Sequence, residues 1–185
     1  MAFAGLTVLV ALGVFATADR AILDIVQLAH GSWLDFGASL VTVFGQSEVL
    51  GTVALGVAIV RWRARRRDWW IPLLLLVVVA VELVLKQTVP QEAPPGELVR
   101  SSQEFPFLNA PTAFAFPSGH VARIAFLVTA LRWPAGVSAA IVLVMAITRI
   151  YLAQHWPSDV VAGWLLGFGI AALAYRPPRI LLPHE

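Results

Sequence analysis

The sequence predicts an all-α membrane protein, a six-span helical bundle with an interfacial helix after the first span. Apolar runs, a basic block and a proline-rich interruption carry that expectation. Of the 185 residues, 59% are hydrophobic and 13% charged, with a mean hydropathy of +0.80. An ordinary soluble domain carries about a quarter charged residues. The apolar excess is arranged in runs, the pattern of a chain that crosses a bilayer repeatedly, and one membrane-embedded domain over 1–185 is the expected organisation. The formal charge of +2 does not point to nucleic acid, because five of the thirteen Lys and Arg residues sit in Arg61–Arg67. A block like that reads as a topology signal. With no cysteine in the chain, disulfides, thiolate catalysis and thiolate metal sites are excluded.

Residues 2–18 form the first apolar run. Ala16-Thr17-Ala18 resembles a signal-peptidase site, but no positive segment precedes it, so the run is taken as a short first span. Residues 19–46 mix Asp19, Arg20, Asp24, His30 and Asp35 with apolar residues. Ile22, Ile25, Val26 and Ala29 fit one face of a helix lying along the interface or covering the bundle. A second span runs from about Glu48 to Arg61 and stops at the basic block. A third runs from Trp69 to Lys86. Residues 87–118 carry Pro90, Pro94, Pro95, Pro106, Pro111 and Pro117, and ordered loops longer than about 12–15 residues usually have a function. The fourth (about 119–133), fifth (134–152) and sixth (158–175) spans follow. The tail, with Arg176 and Arg179, contains prolines that block another helix.

Placing the basic block inside puts both termini inside, with Lys86, His120, His155 and Asp159 outside. Trp62, Trp69, Trp70 and Trp133 then fall at the inner interface, Trp33 and Trp156 at the outer one.

Chemistry concentrates between Pro117 and Asp159. Ser118 is an N-cap residue type before an apolar helix, and Gly119 leaves the first backbone N–H groups open to an anion. His120 rides on that first turn. Arg123, three residues on, lies one turn deeper, where charges are costly and usually functional. Alone this cluster reads equally as a plain capped helix. The second cluster shifts the balance. Asp159, in the first turn of the last span, can fold back to His155 and orient its imidazole as a nucleophile or base. Arg149 supplies a planar fork matched to phosphate oxygens. Lys86 ends the third span on the same side, with Glu82 four residues earlier as an i,i+4 partner. His120, His155 and Asp159 are also zinc-ligand types, yet Arg149 and Lys86 favour an anion over a cation. A serine-hydrolase reading of Ser118 lacks its Gly-x-Ser-x-Gly setting. An anion, specifically a phosphate, uses more of these residues than either.

These residues resemble the type-2 phosphatidic acid phosphatase family, whose fold is shared with bacterial acid phosphatases and vanadium haloperoxidases. Its motifs are Lys-x6-Arg-Pro, Pro-Ser-Gly-His and Ser-Arg-x5-His-x3-Asp. The second is complete as Pro117-Ser118-Gly119-His120. The third reads Thr148-Arg149, His155 and Asp159 at the family spacing, with threonine for the leading serine. The first keeps Lys86 but has Ala93-Pro94 where Arg-Pro is expected. The resemblance covers roughly residues 19–176. It implies that His155 attacks phosphorus with Asp159 orienting it, and that His120 protonates the leaving oxygen. It implies phosphate binding by Lys86, Ser118, Gly119 and Arg149, with no metal or other cofactor. An arginine fork is a strong contact, so Arg123 or Arg100 is expected to replace the one missing at Ala93, with Arg123 the better placed. A headgroup filling that space is the alternative.

The implied function is hydrolysis of a lipid phosphate or diphosphate at the outer leaflet: phosphatidic acid, phosphatidylglycerol phosphate or a polyprenyl diphosphate. The expected partners are that lipid and the bilayer, with no nucleic acid. The competing readings are a lipid phosphotransferase and a non-catalytic anionic-lipid binder or transporter.

Overall fold

The computed structural model describes residues 2–100 and 112–175. Among these, the regular elements are helices: α1 (Ala2–Ala11), α2 (Ala16–Val26), α3 (Ser32–Val43), α4 (Ser47–Arg63), α5 (Leu75–Thr88), α6 (Gly119–Ala130), α7 (Ala135–Tyr151) and α8 (Pro157–Ala174). A short 3₁₀ turn, Ile71–Leu74, leads into α5. Pro106 and Pro111 of the proline-rich stretch, and Arg176 and Arg179 of the tail, lie outside the described residues.

The expected six-span bundle is not what the chain forms. Among the described residues, two helices, Ile71–Thr88 and Pro157–Ala174, are long and apolar enough to cross a membrane. The number reaches four only if each of two bent helix pairs counts as one span. Helices α1 and α2 meet at 93°, and α3 and α4 at 42°, so the expected first span and interfacial helix are two arms of a bent unit. Gly13, with φ of 70°, sits at the first bend, in a left-handed conformation that costs glycine nothing sterically. Helices α6 and α7 have 12 and 17 residues. At ~1.5 Å per residue they reach roughly 18 and 26 Å, against about 30 Å of hydrocarbon.

The miscount has a physical cause. Every residue of α6 from Gly119 to Val128 is buried. Its apolar side chains face other helices, and hydropathy alone does not distinguish a protein neighbour from a lipid one. The parity argument that placed both termini on one membrane face goes with the span count. The bilayer itself remains. Leu76 and Val84 on α5, Leu143 on α7 and Phe168 on α8 are exposed large hydrophobics among many, far more apolar surface than a water-facing monomer presents. The chain is membrane-associated through at least two apolar spans.

Helix α6 is the central post, and α8 lies against it at backbone contact. A Cβ on Gly163 would collide with the Ser118 carbonyl oxygen, and one on Gly167 with the Ala122 carbonyl oxygen. Two small residues four apart make a flat stripe along which helices approach closely, gaining dispersion contact over the whole interface. Either glycine replaced by a larger residue would force the two helices apart. At the far end of α6 the Ala130 carbonyl accepts from Arg61 Nη2 at 3.3 Å and from the Tyr175 hydroxyl at 2.7 Å. Those two donors satisfy a carbonyl the helix end leaves unpaired. One arginine of the basic block is therefore a structural cap.

Candidate active site

The segments that carry chemistry meet where α5 ends and α6 and α8 begin, and backbone hydrogen bonds join them. Phe114 N–H donates to the Lys86 carbonyl at 3.0 Å, and Ala115 N–H to the Gln91 carbonyl at 2.8 Å. Ser118 N–H donates to the Asp159 carbonyl at 3.0 Å. Segments far apart in sequence are thus registered by main chain before any side chain contributes.

His155 lies in the α7–α8 loop, buried, with Nδ1 3.4 Å from Asp159 Oδ2. Asp159 is fully buried. It also accepts from the Trp156 N–H and from Gln91 Nε2, each at 3.0 Å. The carboxylate therefore does both things its position allows: it caps α8 and it faces the histidine. Both of its oxygens are placed as acceptors, Oδ2 towards the Trp156 N–H and Oδ1 towards Gln91 Nε2, so the His155 Nδ1 that faces Oδ2 is the nitrogen that carries hydrogen, and Nε2 presents its lone pair. Burial first, then the charges of Arg149, Lys86 and Arg123, hold the imidazole well below its usual range. The neutral ring keeps a lone pair on Nε2.

His120 occupies the first turn of α6. Its Nδ1 lies 3.4 Å from Arg123 Nη2, and its Nε2 is buried without a hydrogen-bond partner among the described residues. The ring packs against Gly45, where an added Cβ would come within 2.6 Å of the imidazole Cδ2. Burial, followed by Arg149, Arg123, His155 and Lys86, again holds it well below the usual histidine range. Ser118 is the N-cap residue of α6, as expected, but its side chain does not cap the helix. The Ser118 hydroxyl is buried without a partner. Two unpartnered polar atoms at the head of α6 are unusual, since buried polar groups are generally satisfied. A polar guest between them would answer both.

The cations expected around that guest are present. Arg149 is buried at the end of α7, with Nη1 hydrogen-bonded to the Thr42 hydroxyl. Lys86 Nζ is 3.5 Å from Glu82 Oε1, the i,i+4 pair anticipated from sequence. Glu82 does more than that pairing. Its Oε2 accepts from Arg123 Nη1 at 2.7 Å, and its carboxylate lies so close to Gly119 that any side chain there would collide with it. Arg123 completes its contacts by donating from Nε to the Gly45 carbonyl at 3.1 Å. Arg100 is not brought to the site. It donates to the Gln27 and Ala29 carbonyls, each at 2.9 Å, and packs over the Tyr151 ring. Thr148, in the place of the family serine, turns its hydroxyl onto the Met145 carbonyl at 2.7 Å. Beside Ala93 opens a cavity of about 410 Å³, also lined by Asp19, Gln91 and Trp156. Among the described residues no three His, Asp or Glu side chains group as a metal set.

Sequence reasoning missed Asp19, Gln91, Gly45 and Thr42. Buried Asp19 reaches from α2 to the start of α8, accepting from the Ser158 N–H at 2.8 Å and the Ser158 hydroxyl at 2.6 Å. Gln91 bonds both Ser158 Oγ and Asp159. Together they clamp the helix start that holds Asp159, the partner of His155. An acidic residue at the point where the apolar N-terminal run ends was the available signal for Asp19. Nothing local marks the other three.

Compared with known proteins, residues 67–179 match the PAP2 superfamily. The chain is 30% identical over 131 residues to the decaprenylphosphoryl-5-phosphoribose phosphatase of Mycolicibacterium smegmatis, spanning 69% of each chain. It is 34% identical over 71 residues to the undecaprenyl-diphosphatase of Sulfolobus acidocaldarius, 36% of this chain and only 34% of that one. Its fold is that of the transmembrane PAP2 type phosphatidylglycerolphosphate phosphatase of Bacillus subtilis. The TM-score there is 0.73 at 23% identity, over 93% of this chain and 90% of that one. The chain belongs to the PAP2 superfamily.

Proposed function

We propose that this PAP2 superfamily member is an integral membrane phosphatase that hydrolyses a lipid phosphate or diphosphate through a phosphohistidine at His155. His155 Nε2 attacks phosphorus and forms the N–P bond. The P–O bond to the lipid alcohol breaks, and the departing oxygen takes a proton from the His120 imidazolium. Water then attacks the phosphohistidine and gives a proton to His120 as the N–P bond breaks and inorganic phosphate leaves. Lys86, Arg149, Ser118 and the Gly119 N–H hold the equatorial oxygens, where transition-state charge accumulates, and Arg123 adds its charge nearby.

The observation that carries this reading is the His155–Asp159 contact at 3.4 Å, set among Lys86, Arg123 and Arg149 and within electrostatic reach of His120, whose Nε2 is unpartnered. Phosphatidic acid, phosphatidylglycerol phosphate and polyprenyl phosphates or diphosphates are the candidate substrates. The names of the relatives include both polyprenyl and phosphatidylglycerophosphate phosphatases, so both classes belong in the substrate panel. Sidedness rests on the basic block, which precedes the Ile71–Thr88 helix while Lys86 ends it. The positive-inside rule therefore puts the site on the outer face.

A panel of these lipids, assayed for released phosphate with purified protein, tests the reading. His155→Ala should lose roughly 10⁴-fold or more, as removal of a nucleophile does. Equal release by that variant would remove the enzyme. Vanadate inhibition that persists in chelator is also expected, and activity lost in chelator but restored by zinc would count against the phosphohistidine.

A further inference from the structure

A general acid must hold a proton it can give up, and the substrate-free site denies His120 that state. Arginine is a donor only and stays protonated. The 3.4 Å approach of Arg123 Nη2 to His120 Nδ1 is favourable only while Nδ1 carries no hydrogen. The ring's hydrogen is then on Nε2, the atom without a partner. In that form His120 is an uncharged donor. It cannot protonate an alkoxide without becoming an imidazolate, and it has no lone pair on Nε2 to accept a proton from water. The reaction above needs the imidazolium, with hydrogen on both nitrogens. Resting geometry and chemical role therefore disagree, and something must change when substrate arrives.

The groups that face His120 say what changes. Arg123 shares its helix, Lys86 and Glu82 come from α5, Arg149 from α7, and His155 from the α7–α8 loop. A phosphate dianion seated among them offsets the positive charges at once. It also offers Arg123 an acceptor to replace Nδ1. Glu82 keeps the other guanidinium nitrogen, Nη1, at 2.7 Å, and Gly45 keeps Nε. Arg123 therefore has a fixed pivot on one side and one free-to-exchange contact on the other.

We propose that Arg123 is a positioning residue that holds His120 uncharged in the empty site and yields it when phosphate binds, so that the general acid is charged only in the presence of substrate. Resting on the phosphatase reading, this gives Arg123 a role beyond replacing the arginine missing at Ala93. Its consequence is proton uptake on binding. The proton enters at Nδ1 as Arg123 turns to the phosphate, and the one on Nε2 is then available to the leaving oxygen.

The test uses tungstate, a tetrahedral dianion that carries no proton near neutral pH, with the full-length protein in detergent. Calorimetry in buffers of different ionisation enthalpy should show uptake of about one proton per tungstate bound. Ring ¹⁵N signals, assigned by difference from His120→Asn, should show His120 as the Nε2–H form when empty and doubly protonated when loaded. In Arg123→Met the empty His120 should charge at a higher pH than in the parent, while Arg123→Lys should restore part of the depression. Tungstate binding without proton uptake, or a His120 titration unchanged in both Arg123 variants, overturns the inference and leaves the phosphatase standing. No tungstate binding, together with no phosphate release from lipid, sinks both. Should Arg123→Met fail to fold, the parent's empty and loaded ¹⁵N signals still decide, because an empty His120 with hydrogen on Nδ1 refutes the assignment.

Discussion

The two histidines sit in similarly buried surroundings but face partners of opposite charge. His155 has a carboxylate four residues on, and His120 has a guanidinium three residues on. Each spacing brings the partner back over the same helix face or turn. The carboxylate fixes hydrogen on Nδ1 and frees a lone pair, while the guanidinium fixes a bare Nδ1 and puts hydrogen on Nε2. In the proposed mechanism, a pair of identical side chains is thus divided into nucleophile and acid by the sign of one neighbour each. The difference teaches that the asymmetry of that proposed mechanism is written in second contacts.

The largest way to break the comparison is Asp159→Asn. Trp156 N–H and His155 Nδ1 both meet Oδ2, and Gln91 Nε2 meets Oδ1, so an amide that keeps its oxygen at Oδ2 leaves His155 an uncharged acceptor and turns its NH₂ on the Gln91 donor. Phosphate release should fall by up to roughly 10²–10⁴-fold, the range in which a mis-set imidazole falls, with a smaller loss of thermal stability from the Gln91 contact. A drop confined to stability would contradict the orienting role. On the other histidine, Glu82→Ala removes the pivot of Arg123 and leaves two cations facing one another. Breaking a buried ion pair by deleting one partner costs roughly 3–5 kcal/mol, to be read as a lowered unfolding midpoint in detergent. Glu82→Gln should lose less, because the amide oxygen still accepts from Arg123.

A smaller effect sharpens the site between the two. Ala93→Arg extends a guanidinium into the region of the 410 Å³ cavity and restores the first family motif. One charge-assisted contact contributes about 1.5–3 kcal/mol, so kcat/KM on lipid phosphate should rise roughly 10-fold or more. No gain, with phosphate affinity unchanged, would mean that a guanidinium at position 93 does not reach the phosphate.

The smallest effect is pH. His155 is held below the usual value of about 6.5 by burial, then Arg149, Lys86 and Arg123. It therefore remains unprotonated as pH falls through 6.5, and the loss of rate through His155 begins only at the lowered value. Stability runs differently. The unfolded chain takes up a proton near 6.5 and the folded one does not, so acidification below that point favours unfolding. His155→Ala should flatten that slope in a denaturation series across pH.

Much of the candidate site could be read from the sequence because its parts are local. Pro117-Ser118-Gly119-His120 and the His155–Asp159 turn each lie within a few residues, and the Glu82–Lys86 pair is one helical turn. The helices from α4 onward were legible for the same reason, whereas the break between α1 and α2 and the separate helix α3 were not. The number of spans was not, since α6 is apolar for the sake of α5, α7 and α8 rather than of lipid. Nor were Asp19, Gln91 and Gly45, which reach the site only because α2, the α5–α6 loop and the α3–α4 bend are folded against it. Glu82 shows the boundary within one residue. Its contact with Lys86 follows from spacing, and its contact with Arg123, forty-one positions away, follows only from the packing of α5 on α6.

The main-chain bonds from Phe114 to Lys86, from Ala115 to Gln91 and from Ser118 to Asp159 separate the frame of this site from its fittings. A hydrogen bond between peptide groups does not depend on which side chain either residue carries. Threonine at 148 and alanine at 93 can therefore stand where relatives of this kind use other residues without disturbing where His120 and His155 are held. The same independence makes the pocket an interchangeable socket: its ring of cationic side chains can be refitted one residue at a time, while the separation of His120 and His155 stays fixed by the backbone.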